Sequence, residues 1–206
     1  MIERVEVSAV GPDVELQSWA SELPPQNATL TIVRVFDEDG TQGVGATPSY
    51  STGRFDRAML ESLRLVAPLV IGKDAGLRES IWHGLDDLTL PVLPGARSAL
   101  DIALWDLMGK AARQPCYRLM GGRTKARIPV YASRLYSTPL DELAAEARRY
   151  KAEGYRAMKL RFGWGPIDGA EGMARNVDLL RMVRDAVGDE VDVMADGITY
   201  HAQHST

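Results

Sequence analysis

Features that direct proteins to particular compartments are scarce in this sequence. Cys116 is its single cysteine, so no internal disulfide can form. It follows Pro115 at an apparent helix start with no histidine nearby, and we interpret it as a structural thiol rather than a nucleophile. The sequence also lacks an amino-terminal apolar segment and any run of about 18 apolar residues, which argues against a secreted or membrane-spanning protein. We therefore expect a soluble, cytoplasmic protein.

Basic charge is scarce as well. The 24 lysine and arginine residues are outnumbered by 28 aspartate and glutamate residues, and the formal net charge is −4. A chain with this balance presents no strongly positive surface to attract nucleic acid or an anionic membrane. The sequence therefore predicts neither of these as a partner.

Apolar residues, by contrast, are plentiful. They make up 45% of the 206 residues, enough for a sizeable core in one large or two small domains. Their alternation over residues 1–50 predicts an antiparallel meander, with a turn at Asp37–Gly40 and a loop at Gly11–Asn27. The three predicted strands are Ile2–Val10, Ala28–Phe36 and Thr41–Ala46.

Apolar residues then recur at helical spacing up to about residue 122. The longest predicted helix, Pro94–Ala112, is rich in alanine. Because small side chains let a neighbouring element approach closely, we expect this helix to lie centrally between two layers. Its small residues are Ala96, Ala99, Ala103 and Gly109, and the other predicted helices are Phe55–Val66, Leu77–Leu88 and Pro115–Leu119.

Beyond Arg127 predicted strands and helices alternate with short connections. This order is typical of a parallel sheet with helical crossovers. We therefore place an α+β domain at residues 1–125 and part of a β/α domain at residues 126–206. The predicted strands are Ile128–Ser133 (a buried one), Tyr155–Phe162 and Val191–Asp196, and the helices are Thr138–Glu153, capped by Thr138 or Asp141, and Ala170–Val187.

Two cations stand out on the second of these strands. Side chains alternate across a strand, so Lys159 and Arg161 share one face of it. Burying both is unfavourable unless an anion meets them. The sequence leaves open whether they are solvated on an edge strand, form ion pairs that close a barrel layer, or bind a ligand.

A carboxylate, Asp196, ends the next strand. Because the carboxyl ends of parallel strands meet at one edge of a sheet, we expect Asp196 to lie beside Lys159 and Arg161. A carboxylate there could cap the following loop, or it could bind a hard cation such as Mg²⁺, which prefers oxygen ligands. A lysine beside such a cation can exchange a proton with a carbon next to a carboxylate.

The chain resembles a known group of enzymes. Residues 96–122, ARSALDIALWDLMGKAARQPCYRLMGG, are similar to the signature of the mandelate racemase and muconate lactonizing branch of the enolase superfamily. Residues 159–176, KLRFGWGPIDGAEGMARN, together with Val191–Asp196 look most like the sugar-acid dehydratases of that branch. The resemblance implies an α+β capping domain followed by the first part of a modified β/α barrel, truncated after about three barrel strands.

The resemblance also implies roles for three residues. Lys159 matches the first lysine of the family's Lys-x-Lys motif, Arg161 matches the second, which is the usual base, and Asp196 matches the first of three carboxylate ligands for Mg²⁺. The family reaction removes the proton α to a carboxylate and holds the enediolate on the metal, and dehydratases then expel a β-hydroxyl group. The implied partners are a sugar-acid substrate and, in a full-length protein, further copies of the chain.

Two departures from the family pattern matter. A guanidinium keeps its proton at neutral pH, so Arg161 is a poor base, and either Lys159 or a group beyond this chain must act instead. That favours elimination over racemisation, because racemisation needs a base on each face. A β/α barrel takes roughly 250 residues, so we expect an amino-terminal portion of a larger enzyme that lacks counterparts of the other two metal ligands.

Two alternatives to a dehydratase stay open. One is a racemase, epimerase or cycloisomerase of the same branch, and the other is an inactive truncated fragment without a complete metal site. By family analogy the capping-domain loops at residues 11–27 and 46–53 would close over the barrel mouth. Trp19 and Tyr50 are the predicted specificity contacts in those loops.

Overall fold

The structure is a computed structural model that describes residues 1–11, 16–17, 26–51, 55–88 and 92–197. The described residues divide into two compact units, one that ends at Ala126 and one that begins at Arg127. Within these residues, no helix combines the length and the apolar character that a membrane crossing requires.

The first unit contains an antiparallel sheet built around a long central strand. β3 (Gln26–Asp37) pairs with β1 (Ile2–Val10) and β2 (Leu16–Gln17), and also with β4 (Gln42–Ser51). The predicted turn between β3 and β4 is confirmed, with Gly40 at a φ of 78°. Two expectations were wrong in extent. The predicted third strand was too short, because β4 continues to Ser51, and the predicted loop at 11–27 was too long, because it contains β2 and the start of β3.

Helices of the first unit pack against this sheet or against one another. They are α1 (Arg57–Val66), α2 (Arg78–Leu88), α3 (Pro94–Ala111) and α4 (Cys116–Leu119), with short 3₁₀ segments at Ala67–Val70 and Ala75–Leu77. Burial of apolar side chains between the layers stabilises the unit. The largest fully buried side chains here are Ile2, Val33, Leu63, Ile81, Leu100, Leu104 and Leu107.

Two glycines of β4 let α3 lie directly on the strand. A Cβ atom at Gly45 would lie 1.9 Å from the Ala99 carbonyl oxygen, and one at Gly43 would lie 2.1 Å from the Ala103 carbonyl oxygen. Ala99 and Ala103 are fully buried. The close approach predicted for this helix is therefore confirmed, and its close neighbour is β4.

The second unit is a parallel sheet with two helices. Its strands lie in the order β5 (Ala132–Leu135), β6 (Ala157–Arg161) and β7 (Asp192–Asp196). They are joined by α5 (Leu140–Ala152) and α6 (Gly169–Val187). One apolar core joins strand and helix residues: Ala132, Leu135, Leu143, Ala147, Met158, Leu160, Leu179, Val183, Val187 and Val191. The fold expected from the sequence, an α+β unit followed by three parallel barrel strands, is confirmed.

Two local expectations in the second unit were wrong. The strand expected to be buried at 128–133 instead begins at Ala132, and Ile128 is 77% exposed, because β5 first pairs with β6 at Ala132. α5 begins at Leu140, directly after Pro139, and no side chain caps its amino terminus.

Close contact between β4 and α3 makes a testable prediction about stability. Gly45→Ala should destabilise the protein by about 3 kcal/mol, because the added methyl group meets helix backbone that cannot rotate away. Gly84→Ala in α2 is the matched control, since a Cβ atom there meets nothing within 4 Å. That change should stabilise the helix by about 1 kcal/mol. Urea unfolding of both variants measures the difference, and an unchanged midpoint for Gly45→Ala would contradict the packing described here.

A second prediction concerns Tyr150 of α5. Burial raises the pKa of Tyr150 above its usual 10, and its O–H donates to Glu146 Oε1 at 2.9 Å, which raises the pKa further. The protonated phenol is thus favoured in the folded state, so its contribution is complete below about pH 10 and is lost as pH rises through the folded pKa. As pH rises above about 10, wild-type stability should therefore fall more steeply than that of Tyr150→Phe. Parallel pH profiles of the unfolding free energy would rule this out.

Candidate active site

Strand β6 sorts its side chains by polarity onto two faces. Met158 and Leu160 are fully buried against the helices. Lys159 and Arg161 alternate with them and therefore project from the opposite face of the sheet. A shift of one residue would exchange the two sets, so burial of the apolar pair fixes which way the cations point.

The two cations meet one carboxylate at the end of the neighbouring strand. Lys159 Nζ lies 2.8 Å from Asp196 Oδ2, and Arg161 Nε lies 3.6 Å from the same oxygen. The parallel pairing places Arg161 directly beside Asp196. The three side chains, which we call the charged cluster, are only 17%, 20% and 14% exposed. The structure thus brings together the three residues singled out in the sequence, although their catalytic and metal-binding roles stay predictions.

The charged cluster concentrates positive charge. Two cationic side chains contact the same carboxylate in a poorly solvated position at the carboxyl ends of β6 and β7. Charge interactions are stronger there than at an exposed surface. Such a place is suited to an anionic ligand, such as the carboxylate of a small organic acid.

An aromatic residue that sequence reasoning missed contacts the charged cluster. Tyr136 follows β5, and the guanidinium carbon of Arg161 lies 5.4 Å from the centre of its ring. This cation–π contact limits the movement of the guanidinium on the side that faces β5. A sequence signal existed, because Tyr136 stands at the carboxyl end of a barrel strand, where ligand-contacting residues lie in this type of fold.

The ends of β5 and β6 also approach each other closely. A Cβ atom at Gly163, just after β6, would lie 2.4 Å from Ser137 Oγ, and Ser137 is buried. Glycine is therefore required at this position for the two strand ends to stay side by side. Phe162 N donates to the Asp196 carbonyl oxygen at 3.1 Å, which extends the pairing of β6 with β7 to the same edge.

The described residues do not by themselves form a magnesium site. Among them, no group of three or more histidine, cysteine, aspartate or glutamate side chains is placed to hold a metal ion. Asp196 has the oxygen chemistry that Mg²⁺ requires, but it supplies one ligand and is already paired with Lys159.

Neither of the two predicted specificity contacts belongs to the described part of the second unit. Trp19 lies outside the described residues. Tyr50 lies near the end of β4 in the first unit, opposite Ala28, and is 43% exposed. Its role as a substrate contact stays a prediction.

Family models match both units of the chain. The model for the mandelate racemase / muconate lactonizing enzyme N-terminal domain matches residues 8–121. The model for an enolase C-terminal domain-like domain matches residues 142–202. The sequence resemblance to this branch of the enolase superfamily is thereby confirmed.

Individual relatives have several activities. An L-rhamnonate dehydratase from Saccharopolyspora erythraea is 32% identical over 170 residues, which cover 80% of this chain and 40% of the relative. A 3,6-anhydro-alpha-L-galactonate cycloisomerase from Streptomyces coelicolor is 34% identical over 173 residues, or 81% of this chain and 46% of the relative. The chain spans about half the length of the relatives that it matches.

A solved structure gives the same result for the fold. The crystal structure of a racemase from Streptomyces coelicolor A3(2) with bound magnesium superimposes with a TM-score of 0.77 at 30% identity. The match covers 95% of this chain and 55% of that one. Fold, family models and relatives agree, and the chain belongs to the mandelate racemase and muconate lactonizing enzyme family of the enolase superfamily.

Proposed function

We propose that the chain is part of an enzyme that removes the proton α to the carboxylate of a sugar acid and then expels the β-hydroxyl group, yielding a 2-keto-3-deoxy acid. The observation that carries this proposal is the charged cluster, in which Lys159 and Arg161 share Asp196. Relatives that act on sugar acids, such as the L-rhamnonate dehydratase, support the choice of substrate class.

Lys159 and Arg161 have chemistries suited to different tasks. A lysine in its neutral form can accept a proton from carbon, so we assign Lys159 as the base. A guanidinium keeps its charge and presents a planar fork of donors that matches a carboxylate. The cation–π contact with Tyr136 restricts the orientation of Arg161. A restricted guanidinium suits a group that binds the substrate carboxylate rather than one that moves a proton.

Magnesium dependence is part of the proposal. When bound, Mg²⁺ would stabilise the negative charge that develops on the substrate carboxylate. Asp196 would supply one of its ligands, and the others would have to come from outside the described residues. Lys159 would then have to give up its contact with Asp196, which would leave its amine group available to the substrate.

The structure supports elimination more directly than racemisation. With Asp196 assigned to the metal, Lys159 is the remaining group of the charged cluster that can act as a base, and one base serves only one face of the substrate carbon. A racemase, epimerase or cycloisomerase of the same branch is the second candidate, supported by the named racemase and cycloisomerase. The third is an inactive fragment, supported by the single carboxylate in the described cluster.

Isotope exchange separates these three candidates. The purified chain is incubated in D₂O with Mg²⁺ and a panel of aldonic acids, and NMR follows both the α proton and any 2-keto-3-deoxy product. A dehydratase should form the keto acid, whereas a racemase or epimerase should exchange the α proton and invert the centre. Lys159→Met should lower either signal by at least about 1,000-fold.

The matched control for that experiment is Lys151→Met. Lys151 lies on α5 and pairs with Glu190 and the Val187 carbonyl oxygen, away from the charged cluster. Its replacement should leave turnover within about twofold of wild type. Absence of both product and exchange, with and without Mg²⁺, would support the inactive fragment and overturn the proposed reaction.

The shared carboxylate makes a further prediction about stability. Asp196→Asn removes the negative charge that two mostly buried cations contact, and should destabilise the protein by about 2 kcal/mol. Adding Lys159→Met to that variant removes one of the cations and should recover at least about 1 kcal/mol. Urea unfolding of the two single variants and the double variant measures the coupling.

An exposed ion pair of the same unit is the control. Arg175 and Glu171 of α6 have side chains that are 50% and 77% exposed, so Glu171→Gln should change stability by less than about 0.5 kcal/mol. Equal effects of Asp196→Asn and Glu171→Gln would mean that the charged cluster is no more than a solvated surface pair.

A further inference from the structure

The chain turns sharply just after the charged cluster, and a single side chain holds the turn. Asn176 is the eighth residue of α6 and is only 6% exposed. Its Oδ1 accepts hydrogen bonds from Gly163 N at 3.2 Å and Trp164 N at 3.3 Å, and its Nδ2 donates to the Trp164 carbonyl oxygen at 2.7 Å. These three bonds join α6 to the two residues that follow Phe162.

The chemistry of an amide is specifically suited to this position. Two backbone donors and one backbone acceptor must be satisfied by one short side chain, and a primary amide offers an acceptor oxygen and a donor nitrogen in one plane. Aspartate could accept from both N–H groups but could not donate to Trp164. A buried polar group that loses its partner is unfavourable, so the turn and Asn176 depend on each other.

Other contacts bring α6 close enough for this arrangement. A Cβ atom at Gly172 would lie 2.9 Å from Trp164 Cβ, so glycine is needed where the helix passes the turn. The guanidinium carbon of Arg175 lies 5.4 Å from the centre of the Trp164 ring. The turn is therefore attached to the helix through both its backbone and its aromatic side chain.

The turn is connected in the other direction to the charged cluster. Gly163 follows Phe162, whose N–H donates to the carbonyl oxygen of Asp196. Arg161 immediately precedes Phe162 and contacts the Asp196 carboxylate. Displacement of Gly163 and Trp164 would therefore shift the end of β6 relative to β7, and a shift of about 1 Å is enough to impair a catalytic geometry.

We propose that Asn176 is a positioning residue, which fixes the turn at Gly163 and Trp164 and thereby sets the placement of Arg161 against Asp196. Its significance for catalysis rests on the function proposed above, but the placement itself does not. The role can therefore be tested without turnover.

The test uses NMR on the 206-residue chain. In the wild type, the amide protons of Gly163 and Trp164 should exchange roughly 100-fold more slowly than in an open loop, although neither residue lies in a strand. The Nε–H signal of Arg161, assigned by its absence in Arg161→Lys, reports the contact with Asp196. Asn176→Leu keeps the volume and removes all three hydrogen bonds, so it should speed both amide exchanges by at least tenfold and move the Arg161 signal.

Two further variants separate positioning from general stability. Asn176→Asp keeps both acceptor bonds, so it should retain slow exchange at Gly163 and Trp164 and lie between wild type and Asn176→Leu. Arg184→Met is the matched control, because Arg184 is also on α6 and holds backbone, donating to the Gly188 and Val191 carbonyl oxygens at 2.6 and 2.7 Å near the amino end of β7. It should lower thermal stability without moving the Arg161 signal.

Each result bears on the proposal. Open-loop exchange at Gly163 and Trp164 in the wild type overturns it, and that measurement requires no variant to fold. An Arg161 signal that stays in place in Asn176→Leu, or that moves equally in Arg184→Met, also overturns it. A wild-type chain that passes these tests but shows no turnover would count against the proposed reaction and leave the positioning role intact.

Discussion

One contact organises the second unit: Lys159 and Arg161 share the Asp196 carboxylate on the sheet face opposite α5 and α6. Lys159 and Arg161 reach that face because Met158 and Leu160 occupy the other one, where they are fully buried. Hydrophobic burial, which has no directional preference of its own, thereby determines the direction in which the charged side chains project. Packing of the core and placement of the cluster are consequences of the same alternation along β6.

Much of the charged cluster could be predicted because its placement depends on local sequence patterns. The alternation in β6, and the position of Asp196 at the end of the next strand, are readable from sequence spacing alone. Tyr136 had a similar signal at the end of β5, whereas Asn176 could not be found in this way, because it contacts the turn after β6 from a helix. The expectation at Ile128 was wrong for a related reason: an apolar run indicates an extended segment, but not which of its residues find a partner strand.

In the first unit, too, the sequence pattern of one element was predictive, but the element that it contacts was not identified. The small residues of α3 indicated that something would approach closely, and they are indeed buried. The sequence did not indicate that the approaching element would be β4, where glycine replaces the usual strand-forming residues and the Ala99 and Ala103 carbonyl oxygens lie over the backbone. A pattern on one element predicts a contact, and only the fold identifies the other side of it.

The location of the cluster also bears on its role. If it served only to stabilise the sheet, apolar side chains of similar length would do so at least as well. Two cations and a carboxylate instead lie at the carboxyl ends of parallel strands, where ligands bind in this type of fold. Natural sequences depart from the locally most stable choice at functional sites. The position of these charged side chains at the binding edge of the sheet is therefore the strongest structural support for the proposed function.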